Sequence, residues 1–213
     1  MKVLMVNGGS RQEGCTFTAL KTIGETLVKE GIDYEIFHIG SEPIRDCIGC
    51  RACAQEKKCV FTENDDAVNV FLEKAKEADG FVFGSPVYFA HPSGRVLSFL
   101  DRVFYSNYGG SGDVLAFKPG ASVVSARRGG TTASFDVLNK YFTIKQMPIV
   151  SSTYWNMVHG NTPEEVLRDA EGIQTMRNIG HNMAWLLKCI EAGKKAGIPM
   201  PETQRGAMTN FIK

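Results

Sequence analysis

No surplus of charge of either sign marks this chain: its 213 residues carry 24 basic and 23 acidic side chains. Without a basic excess there is no electrostatic case for nucleic acid or an anionic membrane surface as partner, and a small molecule fits better. Nor does any apolar run approach the ~20 residues that a membrane-spanning helix needs. The opening MKVLMVN lacks the charged region, long apolar stretch and cleavage site of a secretory signal, so the expectation is a cytoplasmic protein. In that reducing compartment the six cysteines are expected as thiols, metal ligands or redox groups rather than as structural disulfides. Also missing are the G-x-G-x-x-G dinucleotide fingerprint, the P-loop, any internal repeat, and any linker to a second domain. The length then suits one domain with a core large enough to need no covalent staples.

What is present is alternation. Apolar runs at 2–7, 33–39, 80–85 and 120–126, with a fifth near 147–151, read as strands; between them, apolar residues at three- and four-residue spacing predict helices. These helices fall at 15–30, 65–77, 93–104 and 131–142, with a last one at 171–192 carrying Ile173, Met176, Ile179, Met183, Leu186 and Leu187 on one face. Asn64, Asp65 and Asp66 offer capping oxygens to the second helix, and Lys74 and Lys76 suit its end. The pattern predicts an α/β fold, a doubly wound five-stranded parallel sheet with helices on both faces. It assigns residues 1–193 to that domain and 194–213 to an extended tail that could reach a partner subunit. Two insertions interrupt the alternation. One, 40–64, holds four cysteines; the other, 152–170, holds Tyr154, Trp155 and His159.

In a doubly wound sheet the loops after the strands share one edge, where ligands bind. The loop after the first strand, Ser10 to Thr16, runs from glycines into a helix. Backbone N–H groups and a helix dipole there converge on one point, Ser10 and Thr16 add hydroxyls and Arg11 adds charge, which describes an anion cradle. After the third strand, Pro86, Val87, Tyr88 and Phe89 give a stiff backbone with two flat rings. After the fourth, Ala126, Arg127, Arg128, Gly129 and Gly130 give guanidinium donors before a glycine pair. Together the three loops describe a site for a flat, anionic cofactor. His91 and His159 are expected as loop hydrogen-bonders, and Tyr88 as packing rather than as a proton donor.

At these residues the chain resembles the flavodoxin-like NAD(P)H-dependent FMN reductase family over nearly its whole length. The resemblance rests on the ordered set: the Ser10-Arg11…Thr16 loop, the Pro86-Val87-Tyr88-Phe89 segment, the helix ending in Asp101-Arg102, and the glycine-rich loop after strand four. His159-Gly160-Asn161-Thr162-Pro163 and Asp169-Ala170-Glu171-Gly172 continue it. It implies a sheet of order 2-1-3-4-5 and FMN, with the phosphate on Ser10, Arg11, Cys15 and Thr16. The ring is then held by the backbone of Pro86, Val87, Tyr88 and Phe89 and by the 126–130 loop. Two departures are visible: no proline follows the loop serine, and Cys15 stands where the family often has Asn or Ser.

Cys47, Cys50, Cys53 and Cys59 place four thiols in thirteen residues. Short spacings with a glycine suit a loop wrapped round an iron-sulfur cluster, while zinc and free redox-active thiols remain open. The spacing resembles that of iron-sulfur flavoproteins, which bind a 4Fe-4S cluster beside FMN. Arg51, Lys57 and Lys58 would offset the charge of such a group.

Taken together, the resemblance implies an FMN-dependent enzyme that carries hydride from NAD(P)H, its co-substrate, to a flavin, quinone or similar small-molecule electron acceptor. No acid or base side chain is strictly required, because the flavin does the chemistry; Arg127 or Arg128 would stabilise its reduced form. An electron carrier between ferredoxin-like partners is the alternative, and a flavin sensor a third reading. A half-exposed ring at one sheet edge leads to the expectation of a homodimer or homotetramer.

Overall fold

The computed structural model describes residues 1–62, 67–109, 113–204, 206–207 and 209–212, apart from the side chains of Tyr108 and Gly109. The caps expected at Asn64, Asp65 and Asp66 lie outside the described residues.

Strand β1 (Lys2–Asn7) is apolar on both faces and buried after its first residue, the signature of a central parallel strand. The chain alternates through α1 (Cys15–Lys29), β2 (Asp33–His38), the single turn α2 (Cys53–Glu56) and α3 (Ala67–Lys76). It continues through β3 (Gly80–Tyr88), β4 (His91–Pro92), α4 (Gly94–Gly109), β5 (Gly120–Ala126) and α5 (Thr131–Ile144). β6 (Met157–His159), α6 (Pro163–Arg168) and the 26-residue α7 (Ala170–Lys195) complete it. The sheet order is β2-β1-β3-β5-β6, all parallel, with the two-residue β4 folded back antiparallel on β3. Counting parallel strands alone, this is the 2-1-3-4-5 order that the resemblance implied.

Each face of the sheet has its own core. Phe71, Phe81, Phe83, Phe99 and Phe142 fill the side covered by α3, α4 and α5, where Phe83 and Phe142 stack with centroids 5.1 Å apart. Leu20, Ile23, Met176, Ile179 and Met183 fill the other, between α1 and α7.

The fifth strand is displaced from its expected place. Residues 147–150 do enter the sheet, with Gly120 N donating to Pro148 O at 2.9 Å and Val150 N to Gly120 O at 2.8 Å. The chain then leaves the edge at Ser151 and rejoins it at β6, where Asn156 O accepts from Val124 N at 3.0 Å. Buried Asn156 drives the re-entry by donating its side-chain amide to Ser122 O at 3.0 Å. Hydropathy sees only the first touch, since Met147 to Val150 is the more apolar run. The last helix also outlasts its expected end. It closes in a Schellman turn on Gly197 (φ 79°, left-handed), with Ile198 N bonded to Gly193 O at 3.0 Å and Gly197 N to Lys194 O at 3.1 Å. The extended tail therefore starts beyond Gly197 rather than at 194.

At the β1–β2 pair, Glu35 bridges Lys2 and Lys74, the latter at 2.7 Å. The hydrogen bonds from Lys2 and Lys74 hold the Glu35 carboxyl below the usual carboxylate range. A depressed folded-state pKa contributes stability that is present above the unfolded pKa and lost as pH falls through the folded one. Glu35→Gln is expected to lower stability by about 0.5–1 kcal/mol near pH 7. The deficit should vanish in acid, read as converging denaturant midpoints of the two proteins.

Candidate functional site

β1 ends on Asn7, which is fully buried and shapes the loop that follows. Its side-chain amide donates to Gln12 O at 2.9 Å, and its Oδ1 accepts from Gly9 N at 3.0 Å. From the neighbouring strand, His38 Nε2 meets Gly9 O at 2.8 Å. The loop is thus fixed from two sides before α1 begins. Gly14 caps that helix with no side-chain hydrogen bond, which leaves its first-turn N–H groups pointing outward with the positive end of the dipole. Thr16 Oγ1 pairs with Ser125 Oγ of β5 at 2.8 Å, tying the cradle to the next loop but one.

β3 runs three residues past its expected end, so Pro86, Val87 and Tyr88 belong to the strand as it leaves the sheet and turns back along β4. Ser85 Oγ fixes this hairpin, donating to Pro86 O at 2.8 Å and accepting from Ser93 N at 3.0 Å. The turn holds Phe89 and Ala90 in left-handed backbone, φ 51° and 60°, and leaves the Phe89 ring wholly exposed. Gly130, also left-handed at φ 94°, seats against this turn: a Cβ there would lie 2.5 Å from Ala90 Cα. Only glycine lets the third loop approach the second so closely.

A cavity of about 280 Å³ opens where these pieces meet. Of the residues expected there, Ser10, Arg11, Cys15, Thr16, Pro86, Val87, Tyr88, Ala126 and Arg127 line it. Phe89, Arg128, Gly129 and Gly130 stand outside; Arg128 and Gly129 are exposed beyond the rim, and Gly130 is spent on packing against Ala90. Cys15 is half-buried, its thiol directed at Gly160 O at 3.6 Å, and burial pushes that thiol up from its ordinary range. That direction disfavours the thiolate, the nucleophilic form. Gly160 and Asn161 also line the cavity and were missed as site residues, although the segment was noted. The signal was the edge rule itself: β6 contributes a fourth loop to the same edge. Asp169 shapes that loop, its Oδ2 accepting from His159 N at 2.7 Å and its Oδ1 from Gly172 N at 2.9 Å.

A second pocket gathers the cysteines. Cys47, Cys50, Cys53 and Cys59 line it together, with Phe61, Arg102, Tyr105 and Ser106 among the other walls. Left-handed residues at Gly49, Arg51 and Lys57 coil the loop tightly enough to bring the four thiols round one space. All are free, Cys53 and Cys59 buried, Cys50 exposed. Burial, then the neighbouring Cys50, raises the Cys53 thiol. Among the described residues no three His, Cys, Asp or Glu side chains close on one metal ion. Asn69 of α3 clamps the Cys59 backbone both ways, accepting from its N–H at 3.0 Å and donating to its carbonyl at 2.8 Å. Arg51 lines the pocket as well, and the cation hydrogen-bonded to a sulfur is Arg102 of α4, whose Nε and one terminal nitrogen lie 3.3 and 3.2 Å from Cys59 Sγ. An arginine on the buried stripe of Phe99, Leu100 and Val103 was the available clue.

The family model for NADPH-dependent FMN reductases matches residues 1–162. An iron-sulfur flavoprotein of Methanocaldococcus jannaschii is 31% identical over 198 residues, covering 90% of this chain and all of that protein. Another, from Methanosarcina thermophila, is 26% identical over 91% of this chain and 99% of its own length. Among solved structures, a flavodoxin from the domain Archaea superposes with a TM-score of 0.58 at 16% identity, over 88% of this chain and 99% of that one, a likeness of fold. No helix among the described residues is long and apolar enough to cross a membrane. The chain is a flavin-dependent oxidoreductase with the flavodoxin-like fold, and it belongs to the NADPH-dependent FMN reductase family, with iron-sulfur flavoproteins among its relatives.

Proposed function

We propose that the chain is a cytoplasmic enzyme that holds FMN in the cavity at the sheet edge and passes electrons from NADPH or NADH to a flavin, quinone or similar acceptor. The observation that carries this reading is the uncapped N-terminus of α1 opening into a 280 Å³ cavity. Free N–H groups, the Ser10 and Thr16 hydroxyls and Arg11 suit a phosphate, and Pro86 to Tyr88 offer a wall for a flat ring. The volume lies at about the lower edge of the ~300–1,000 Å³ usual for ligand pockets, which suits a cofactor whose ring stays partly outside. When bound, FMN supplies hydride acceptance and electron release. The chain itself anchors, orients and leaves one face open to donor and acceptor in turn.

Of the two arginines, only Arg127 lines the cavity. Arg127→Ala is therefore expected to weaken FMN binding about tenfold, the scale of one charge-assisted hydrogen bond at a part-exposed site. Arg128→Ala should change it by less than about threefold, a surface-charge effect. Fluorescence titration of the apoprotein with FMN checks both. Equal losses would remove the assignment. The reading as a whole is tested by NAD(P)H oxidation with added FMN or quinone; a flavin-loaded protein that oxidises neither nucleotide defeats it.

The four-cysteine pocket favours a second reading, a 4Fe-4S flavoprotein carrying single electrons between ferredoxin-like partners. Thiols disposed round a space suit a cluster with irons at separate corners better than one zinc, which needs four sulfurs each about 2.3 Å from a point. Reduction by a reduced ferredoxin, without turnover of nicotinamide, would favour it over the first. Exposed Tyr154 and Trp155 and the tail beyond Gly197 are the surfaces we assign to a homodimer or homotetramer. Removing residues 198–213 is expected to lower the assembled mass on gel filtration, and an unchanged mass excludes the tail from the contact.

A further inference from the structure

Arg102 does more than neighbour the cysteines. It is 3% exposed, deep on α4, and its guanidinium reaches three separate parts of the cysteine loop. Nε and one terminal nitrogen donate to Cys59 Sγ at 3.3 and 3.2 Å. That terminal nitrogen also donates to Phe61 O at 2.8 Å, and the other to Arg45 O at 3.5 Å. Arg45 precedes the first cysteine and Phe61 follows the last, so one side chain joins both ends of the loop to its fourth sulfur. The Phe61 ring completes the clamp, with the Arg102 guanidinium 5.5 Å from its centroid and that of Arg45 4.7 Å. A planar fork spreads its donors over three nitrogens and can span these separated acceptors, whereas all three N–H groups of a lysine leave one nitrogen.

We infer that Arg102 is a positioning residue for the sulfur-bound redox group: it closes the cysteine loop and, through its N–H···S hydrogen bonds to Cys59, raises the group's reduction potential. This rests on the iron-sulfur reading of the pocket. Reduction brings in one electron from a carrier or a titrant, makes or breaks no bond, and makes the thiolate-ligated group one unit more negative. Donors and positive charge at a sulfur stabilise that more negative state, so the equilibrium moves toward reduction. The guanidinium keeps its proton throughout.

The test uses full-length protein prepared anaerobically, with iron content measured and the cluster potential followed by paramagnetic resonance during a redox titration. Arg102→Lys keeps the charge and the stem but loses the fork. It is expected to shift the cluster's reduction equilibrium at least tenfold toward the oxidised form, 59 mV for one electron. Arg45→Ala, removing an exposed charge over the same Phe61 ring with no contact to sulfur, is expected to shift it less than threefold. An iron-loaded Arg102→Lys protein with unchanged potential overturns the inference, as does an equal shift in Arg45→Ala. Should Arg102→Lys lose its iron, limited proteolysis of the iron-free proteins decides, with cleavage between residues 45 and 61 at least tenfold faster in the variant expected and an equal rate overturning the closure. Wild-type protein without iron under this preparation sinks the iron-sulfur reading itself, a result distinct from the others.

Discussion

Alanine at position 8 is expected to strip the protein of flavin while the fold survives weakened. Gly8 is the first residue after β1, and its N–H donates to Gly84 O at 2.9 Å across to β3. A Cβ added there would lie 2.0 Å from Val96 Cγ2 and 2.6 Å from Gly84 O. Backbone on one side and a buried α4 side chain on the other leave no direction of escape. The loop from Gly9 to Thr16 must then move off its hydrogen bonds to Asn7 and His38, which are what aim its N–H groups. Overpacking of this kind costs about 1–3 kcal/mol, and for a chain of this size each kilocalorie lowers Tm by roughly 2–4 °C. FMN affinity should fall at least tenfold, because the cradle's donors lose their common focus. Gly14→Ala is the matched control. Its Cβ would meet only Arg11, Cβ at 3.3 Å and carbonyl oxygen at 3.7 Å, and its backbone, φ −94° and ψ −166°, suits any residue. That variant should bind FMN within about threefold of wild type, allowing for the poorer cap. Flavin titration and a melting curve on each protein decide the matter; wild-type affinity in Gly8→Ala would show that the loop geometry is not what holds the phosphate.

On the iron-sulfur reading, Cys53→Ala is expected to abolish iron retention altogether while leaving flavin binding within about twofold. Cys53 opens α2, is 7% exposed, and stands in the pocket with the other three thiols. On that reading, losing one of four thiols leaves one iron corner with no thiolate, and the other polar groups of the wall are guanidiniums, which carry no free lone pair, and the Tyr105 and Ser106 hydroxyls, which are poor iron-sulfur ligands. The sheet-edge cavity proposed for FMN has no residue in common with this pocket, so flavin affinity has no reason to follow. Cys189→Ser, at an exposed thiol on α7 away from both, should change neither. Iron and flavin assays on anaerobic preparations provide the comparison. Full iron in Cys53→Ala would show that this thiol is not a ligand.

The cradle, the aromatic wall and the cysteine spacing were all legible from the chain, because each is local: a short stretch of sequence fixes its own backbone and donors. β1 and β5 were legible for a related reason, being buried on both faces and so made almost wholly of apolar and small residues. What hydropathy could not show depends on partners distant in sequence. The edge strand is settled by the Asn156 bond to Ser122, not by the apolar run at 147–150. Arg102 enters from the sequence only as the end of the Asp101-Arg102 helix, and its 43-residue reach to Cys59 is a contact that the pattern does not carry. Gly130 was read for its place beside the cofactor, and that it also lets two loops touch is visible only in the fold. In each case the deciding contact is one that sequence spacing does not encode.

The broken edge at β6 bears on how copies of the chain can meet. An outer strand with a long row of unpaired N–H and C=O groups invites another sheet to add itself there. Here that row is three residues long, and the six residues before it, Ser151 to Asn156, swing out with Tyr154 and Trp155 exposed. An approaching strand would find too few groups to zip against and a projecting loop in its path. The sheet is therefore closed to extension at its β6 edge, and any contact between copies there would run through side chains such as Tyr154 and Trp155 and not through a continuing ladder.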